Sequence, residues 1–273
     1  MALRKDEKLK YGSTVYYSDP LNDDFEKTNL KRNPLPENYV YLKHGFFQKI
    51  NDFIWYYCIC KPILAIIMRL SGFKYRNRSK VKKLIKEGCY FYGNHTSYFD
   101  AFAIQVTYPR TKSYIIGYTD ALGLPAIIRF ILRHVGYLPL PTALKDYKKF
   151  NDALHEISCV RKENIIIFPE AHIWPFYTKI RDFSSVSFSY PAKYNKPVVP
   201  VVTCYRKSKL SKKAKATIFY LDPIYPKIEL NEKENKQYLH DECLKAMKKC
   251  AEENSKYEYV HYVYKGEENE VQN

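Results

Sequence analysis

The chain of 273 residues has none of the glycine-rich loops that cradle nucleotides: neither G-x-G-x-x-G nor G-x-x-x-x-G-K-[S/T] occurs. It has no C-x-x-C pair, and its seven cysteines (Cys58, Cys60, Cys89, Cys159, Cys204, Cys243 and Cys250) have no histidines beside them at metal-ligand spacing. An odd number of thiols, most of them in apolar runs, argues against a disulfide scaffold and a zinc site and reads as free cysteines in a reducing compartment. Met1 to Lys10 include Asp6 and Glu7 and no apolar core, so no secretory signal is expected. Acid is scarce: 29 Asp and Glu stand against 45 Lys and Arg, a formal charge of +16. That balance favours anionic partners, whether membrane surface, phosphorylated substrate, acidic carrier protein or nucleic acid.

A long unbroken apolar run is also missing. The most apolar stretch, residues 46 to 70, is interrupted by Lys61-Pro62 between Phe53–Cys60 and Ile63–Met68. A spanning helix needs about 20 apolar residues, and a lysine at its middle costs on the order of 3 kcal/mol on insertion. The interruption therefore predicts a hairpin of two short helices lying in the membrane interface, with Trp55, Tyr56 and Tyr57 at headgroup level. A buried hairpin of a soluble domain and a true span are the alternatives. Directly afterwards, seven of the thirteen residues from Lys74 to Lys86 are basic. They form either a solvated face or a seat for anionic headgroups, each basic residue then contributing about 1 kcal/mol.

Residues 1 to 45 lack sustained periodicity and carry the turn signals Asp19-Pro20, Asn33-Pro34 and Leu35-Pro36, so they read as an arm over the main domain, with Tyr16, Tyr17, Tyr39 and Tyr41 available to pack. From 89 onward apolar runs alternate with helical patterns. Strands are expected at 89–93, 112–117, 136–140, 164–168, 197–203 and 215–221, and helices near 98–107, 120–134, 142–160, 183–195 and 231–254. The alternation predicts an α/β fold, a mostly parallel central sheet flanked by helices, with the apolar hairpin ahead of it. In the last helix Leu239, Cys243, Ala246, Met247 and Cys250 share a face and form a cover. The basic run Arg206–Lys215 reads as a strand connection or, more sharply, a dock for a carrier protein or coenzyme A. The tail from Gly266 is expected to fray.

One stretch carries chemistry: Gly93-Asn94-His95-Thr96-Ser97-Tyr98-Phe99-Asp100, between a strand and a helix. Five residues separate the imidazole from the carboxylate, too far for one helix face, where spacings of three or four meet. The two touch only if His95 sits in the turn and Asp100 in the first helical turn. Ser97-x-x-Asp100 has the form of a capping box, and Gly93 and Asn94 tolerate a sharp turn. Asp100 can then hold one ring nitrogen while the other takes a proton from a bound hydroxyl. Capping alone would account for the same spacing.

Asn94-His95-Thr96-Ser97-Tyr98-Phe99-Asp100 resembles the N-H-x-x-x-x-D block of the glycerolipid acyltransferase family, the 1-acylglycerol-3-phosphate acyltransferases and their lysophospholipid-acylating relatives. Phe168-Pro169-Glu170 resembles the start of that family's F-P-E-G-T-R block, and Lys196-Pro197-Val198-Val199-Pro200-Val201 its V-P-V-x-P block. The three blocks stand in the family's order over roughly residues 81 to 225. The resemblance implies a membrane-associated O-acyltransferase on the cytoplasmic face of the cell membrane, peripheral or monotopic. It would move an acyl group from acyl-CoA or acyl carrier protein to a hydroxyl of a lysophosphatidate-like glycerolipid. No bound cofactor, metal or nucleic acid is expected. His95 and Asp100 are the catalytic pair, the backbone N–H groups of Thr96 and Ser97 are offered to the oxyanion, and the acceptor lies between His95 and Glu170.

The chain departs from the family after Glu170: Ala171-His172-Ile173 replaces glycine, threonine and arginine, and Gly136-Tyr-Leu-Pro-Leu-Pro141 lacks the arginine of another block. Isoleucine cannot clamp a phosphate. Lys179 or Arg181 takes over, or the acceptor is a lysophospholipid, glycolipid or other hydroxyl lipid. The substrate-binding set is thus Asn94, Ser97, Glu170, His172, Lys179 and Arg181. The domain reading is an arm (1–45), a membrane-associating hairpin and basic segment (46–80), an acyltransferase α/β domain (81–255) and a tail (256–273). A non-catalytic basic membrane- or RNA-binding protein is the reading from another class.

Overall fold

The structure, a computed structural model, describes residues 9–25 and 34–266. The expectations for the opening residues and for the acidic tail beyond Gly266 lie outside them. In chain order the elements are β1 (Ser13–Tyr17), α1 (Phe46–Leu70), β2 (Lys74–Arg76), β3 (Tyr90–Gly93), α2 (Asp100–Thr107), β4 (Ser113–Gly117), α3 (Ala126–His134), β5 (Tyr137–Pro139), α4 (Tyr147–His155), β6 (Asn164–Ile167), α5 (Ser189–Lys193), β7 (Val198–Lys207), β8 (Ala214–Tyr220), α6 (Glu232–Asn254) and β9 (Val260–Tyr264). The central sheet has seven strands in the order β2-β8-β7-β3-β6-β4-β5. Every pairing is parallel except the β7–β8 hairpin. The six strands expected from periodicity are all present, and β3, β4, β6 and β7 are apolar runs buried on both faces, as strands inside a largely parallel sheet are.

Two cores sandwich the sheet. On one side Phe150 and Leu154 of α4 and Leu239, Cys243 and Met247 of α6 pack on Tyr90, Tyr92, Ile165 and Val202. On the other, Met68 of α1 and Ala103 and Ile104 of α2 pack on Phe91, Ile166 and Val199. The helix expected near 120–134 is split: Thr119–Gly123 is a 3₁₀ turn, and Leu124 is held extended before Pro125, where a following proline ring disfavours helix. All seven cysteines are free.

The expected hairpin is instead one continuous helix of 25 residues, Phe46–Leu70. Lys61-Pro62 does not break it, for two reasons. Ile54–Cys60 widens to π geometry just before the proline, so its ring meets no ordinary α-helical carbonyl four residues back. The lysine turns inward, and its Nζ donates to the carbonyls of Tyr108 and Thr111, both at 2.7 Å. Tyr56, on the same helix, accepts the Ser113 N–H at 3.2 Å. The helix is thereby tied lengthwise to the α/β domain.

Strands near the two ends of the chain, unanticipated because each is short and its partner lies at the opposite end of the sequence, pair in parallel as β1 and β9. Together with residues 18–25 they close over the loop after β6: Tyr17, Phe25 and Tyr262 pack around fully buried Trp174. The arm reading of the first residues thus gains a definite partner. The basic run 206–215 spans the turn of the β7–β8 hairpin and the paired strand ends on either side of it.

Burial of Lys61 lowers its pKa from the ordinary 10.5 to about 8. Across that window the unfolded chain holds a proton that the folded chain has released, so stability rises with pH from about 8 to 10.5. Urea-unfolding midpoints should rise with pH over this range in the native chain relative to Lys61→Met. A difference between the two that stays constant with pH would contradict the burial.

Candidate active site

Register sets the site. Tyr92 of β3 pairs with Ile167 of β6, so His95 and Glu170, each three residues farther on, leave the carboxyl edge of the sheet at the same level. That edge is where parallel α/β sheets gather ligands. The turn between β3 and α2 is fastened to β7 by Asn94, whose side chain accepts the Thr203 N–H at 2.8 Å and donates to the Thr203 carbonyl at 3.1 Å. Asn94 is buried in this role and presents no free amide to a ligand.

Asp100, in the first turn of α2, is 2% exposed. Its Oδ2 accepts the N–H groups of Thr96 at 2.7 Å and Ser97 at 2.8 Å, and its Oδ1 accepts the Thr203 hydroxyl at 3.2 Å. One half of the expected capping box is therefore made. The other is not, because the Ser97 hydroxyl accepts the Phe99 N–H. The Thr96 and Ser97 N–H groups are committed to this carboxylate, which overturns their expected role as oxyanion donors. Tyr205 backs the turn through a 2.9 Å contact between its hydroxyl and Thr96 Oγ1. Burial, and then the Asp100 charge, push its phenol well above the ordinary range, so it remains neutral.

The His95 side chain keeps 19% of its surface open, and its Nδ1 lies 3.6 Å from Asp100 Oδ2. Nδ1 is buried and makes no hydrogen bond, so Asp100 is the acceptor toward which it points. The ring stacks on Phe168, with centroids 4.4 Å apart and planes at 22°. Gly93 is required by this stack and not, as its sequence context implies, by an unusual backbone angle. A Cβ at 93 would come within 2.8 Å of the Phe168 ring.

Glu170 does not face an open groove. Its Oε2 accepts the backbone N–H of His95 at 3.0 Å, its Oε1 the N–H of Arg181 at 3.0 Å, and the Arg181 guanidinium pairs with it at 3.2 Å, both side chains 1% exposed. Arg181 also donates to the carbonyls of His172 and Pro20 and lies over Trp174. His172 points its ring at Asp24, 3.5 Å away, and Trp174 donates to the Asp23 carbonyl at 2.8 Å. The structure thus gathers His95, Asp100, Ser97 and the His95 N–H with Glu170, while Arg181 is enclosed behind the glutamate and Lys179 stands exposed. Sequence reasoning missed Thr203, Tyr205, Phe168 and the acidic arm. Phe168 and Thr203 sit in or just beyond the second and third blocks, and that was the available signal.

Two substitutions test this arrangement. Gly93→Ala should lower stability by about 1–3 kcal/mol through overpacking and lower turnover by tilting the histidine's platform; unchanged unfolding and turnover would refute the close packing. Ala171 sits at φ 64°. That left-handed backbone disfavours alanine, so Ala171→Gly should raise stability by about 1 kcal/mol in urea unfolding, and a loss would contradict it.

Comparison with known proteins fits this geometry. The fold is similar to the crystal structure of the 1-acyl-sn-glycerophosphate (LPA) acyltransferase PlsC from Thermotoga maritima, with a TM-score of 0.54 and 16% identity over 78% of this chain and 84% of that one. No curated protein matches the sequence. The profile of the family described as Acyltransferase matches residues 66–204, from the last turns of α1 into β7. That is just over half of the chain, and it takes in His95, Asp100 and Glu170: the chain belongs to the Acyltransferase family.

Proposed function

We propose that the protein transfers a fatty acyl group from an acyl thioester to a hydroxyl of a lysophosphatidate-like glycerolipid, with His95 as general base. The observation that carries this reading is the partly open imidazole at the end of β3, its Nδ1 turned to a buried carboxylate 3.6 Å away. Catalytic hydrogen bonds are often long before substrate arrives and tighten in the complex. With Asp100 accepting from Nδ1–H, Nε2 carries the free lone pair. It takes the proton of the acceptor hydroxyl as the oxygen attacks the thioester carbonyl, and returns a proton to the leaving thiolate. The tetrahedral oxyanion must be met by donors other than the Thr96 and Ser97 N–H groups. No cofactor enters the reaction; the donor, acyl-CoA or acyl carrier protein, is a substrate.

A second acceptor class has an observation of its own. Ile173 supplies no charge, and the Arg181 guanidinium is buried, its two terminal nitrogens bonded to Glu170 and two carbonyls. Lys179 is left as the exposed cation of this loop. The same chemistry on a lysophospholipid, glycolipid or other hydroxyl lipid without a phosphate monoester suits that arrangement.

The α1 helix supports attachment to the membrane interface. Phe47, Ile66 and Leu70 are exposed while Tyr56, Lys61 and Met68 are buried against the domain. A helix tied lengthwise in this way lies along a bilayer and does not thread it. The cytoplasmic side is part of the proposal, in keeping with seven free thiols.

His95→Ala should lower acyl transfer by at least about 100-fold with the fold intact. Asp100→Asn should also lower it by orders of magnitude, with a stability loss of about 1–3 kcal/mol because an amide cannot replace every acceptor contact. Incubation with a radiolabelled acyl thioester and total lipid, followed by identification of the product, measures the rate and reveals the acceptor. A His95→Ala protein with native activity would end the proposal.

A further inference from the structure

The short helix α3 is almost uncovered. Of its residues only His134 is buried, whereas Ile127 is 65% exposed and Ile128, Phe130 and Ile131 are all open to solvent. A nine-residue helix with four large apolar side chains in water is neither stable alone nor benign on a soluble surface. Phe130 and His134 hold it against Trp55 and Asn51 of α1. The Phe130 ring meets Trp55 edge-on at 4.7 Å, and His134 Nε2 lies 3.2 Å from Asn51 Nδ2. The neighbouring part of α1 is itself bare: Phe46, Phe47, Phe53 and Ile54 are exposed, Phe47 at 85%.

We infer that α3 and the outward side of α1 form one docking face for an anionic lipid bilayer, with α3 as a second inserting helix supplied by the β4–β5 connection. Charge selects this occupant. The only ionisable side chains of α3 besides His134 are Arg129 and Arg133; the helix has no acid, and the chain carries a net +16. Apolar side chains flanked by arginines suit the boundary between acyl chains and anionic headgroups. Placement agrees. The helices α1 and α2 cover the same face of the sheet, and α2 begins at the site, where Tyr98 and Phe99 beside His95 are exposed. Contact with lipid along this layer brings the imidazole to the membrane surface. The face stands on geometry independent of the acyl-transfer reading; only its use, offering lipid to His95, rests on that reading.

Flotation of the full-length protein with phosphatidylcholine vesicles, with and without phosphatidylglycerol, tests the face without any reaction. Ile127→Ser combined with Ile131→Ser should lower vesicle partition by about tenfold or more. Arg129→Ala with Arg133→Ala should remove most of the preference for phosphatidylglycerol and its sensitivity to salt. These residues are exposed and outside the site, so unfolding midpoints and turnover of a water-soluble short-chain acceptor and thioester should stay native. Native vesicle binding by the isoleucine variant would overturn the inference. So would sedimentation showing that the face pairs with a second copy of the chain while the protein ignores vesicles. Flotation of the native protein that is lost in the isoleucine variant, together with no acyl transfer by the native protein, would instead sink the acyl-transfer reading and leave the docking face standing.

Discussion

The Asp100 carboxylate organises the carboxyl edge of the sheet. Buried beneath the turn, it gathers two backbone N–H groups and the Thr203 hydroxyl, and it faces the His95 ring. A carboxylate so enclosed is tolerable only when its lone pairs are met, because an unmet buried charge is expensive. The same bonds that satisfy it hold the turn in the one shape that carries the imidazole out of β3. Asn94 fastens that turn to β7, and Phe168 from β6 supports the ring. Three neighbouring strands therefore contribute to the position of one side chain.

Glu170 does comparable work on the adjoining loop. It is bonded to the His95 N–H on one side and to Arg181 on the other. A buried ion pair adds little to stability once desolvation is counted; its value here is that it locks the loop after β6 to the turn after β3. The ends of the chain complete the lock. The arm supplies the Pro20 carbonyl to Arg181 and the Asp23 carbonyl to Trp174. Since β1 pairs with β9, both termini bear on the position of the glutamate.

Six of the sheet's seven strands were legible as runs bounded by turn residues, and the His95–Asp100 pair because an interval of five allows contact only across the strand-to-helix turn. Four features were not legible. The edge strand β2, Lys74-Tyr75-Arg76, lies in the basic run and carries no apolar pattern. Continuity of α1 through Lys61-Pro62 depends on a π segment and on carbonyls some fifty residues away, neither visible in local periodicity. The pairing of β1 with β9 joins segments at opposite ends of the chain, beyond any local pattern. Arg181 reads as a free cation in sequence and is a buried partner in space, since what decides its role is a glutamate eleven residues earlier and an arm more than 150 residues earlier.

The exposed apolar side chains of α1 and α3 and the histidine at the end of β3 join in one account only if the imidazole is the base. Its tautomer decides the matter most directly. Long-range ¹⁵N–¹H correlation on the isolated protein should show His95 protonated at Nδ1, toward Asp100, with Nε2 bare, and Asp100→Asn should scramble that preference. A ring protonated at Nε2 in the native protein would leave no lone pair for the acceptor hydroxyl and would contradict the account.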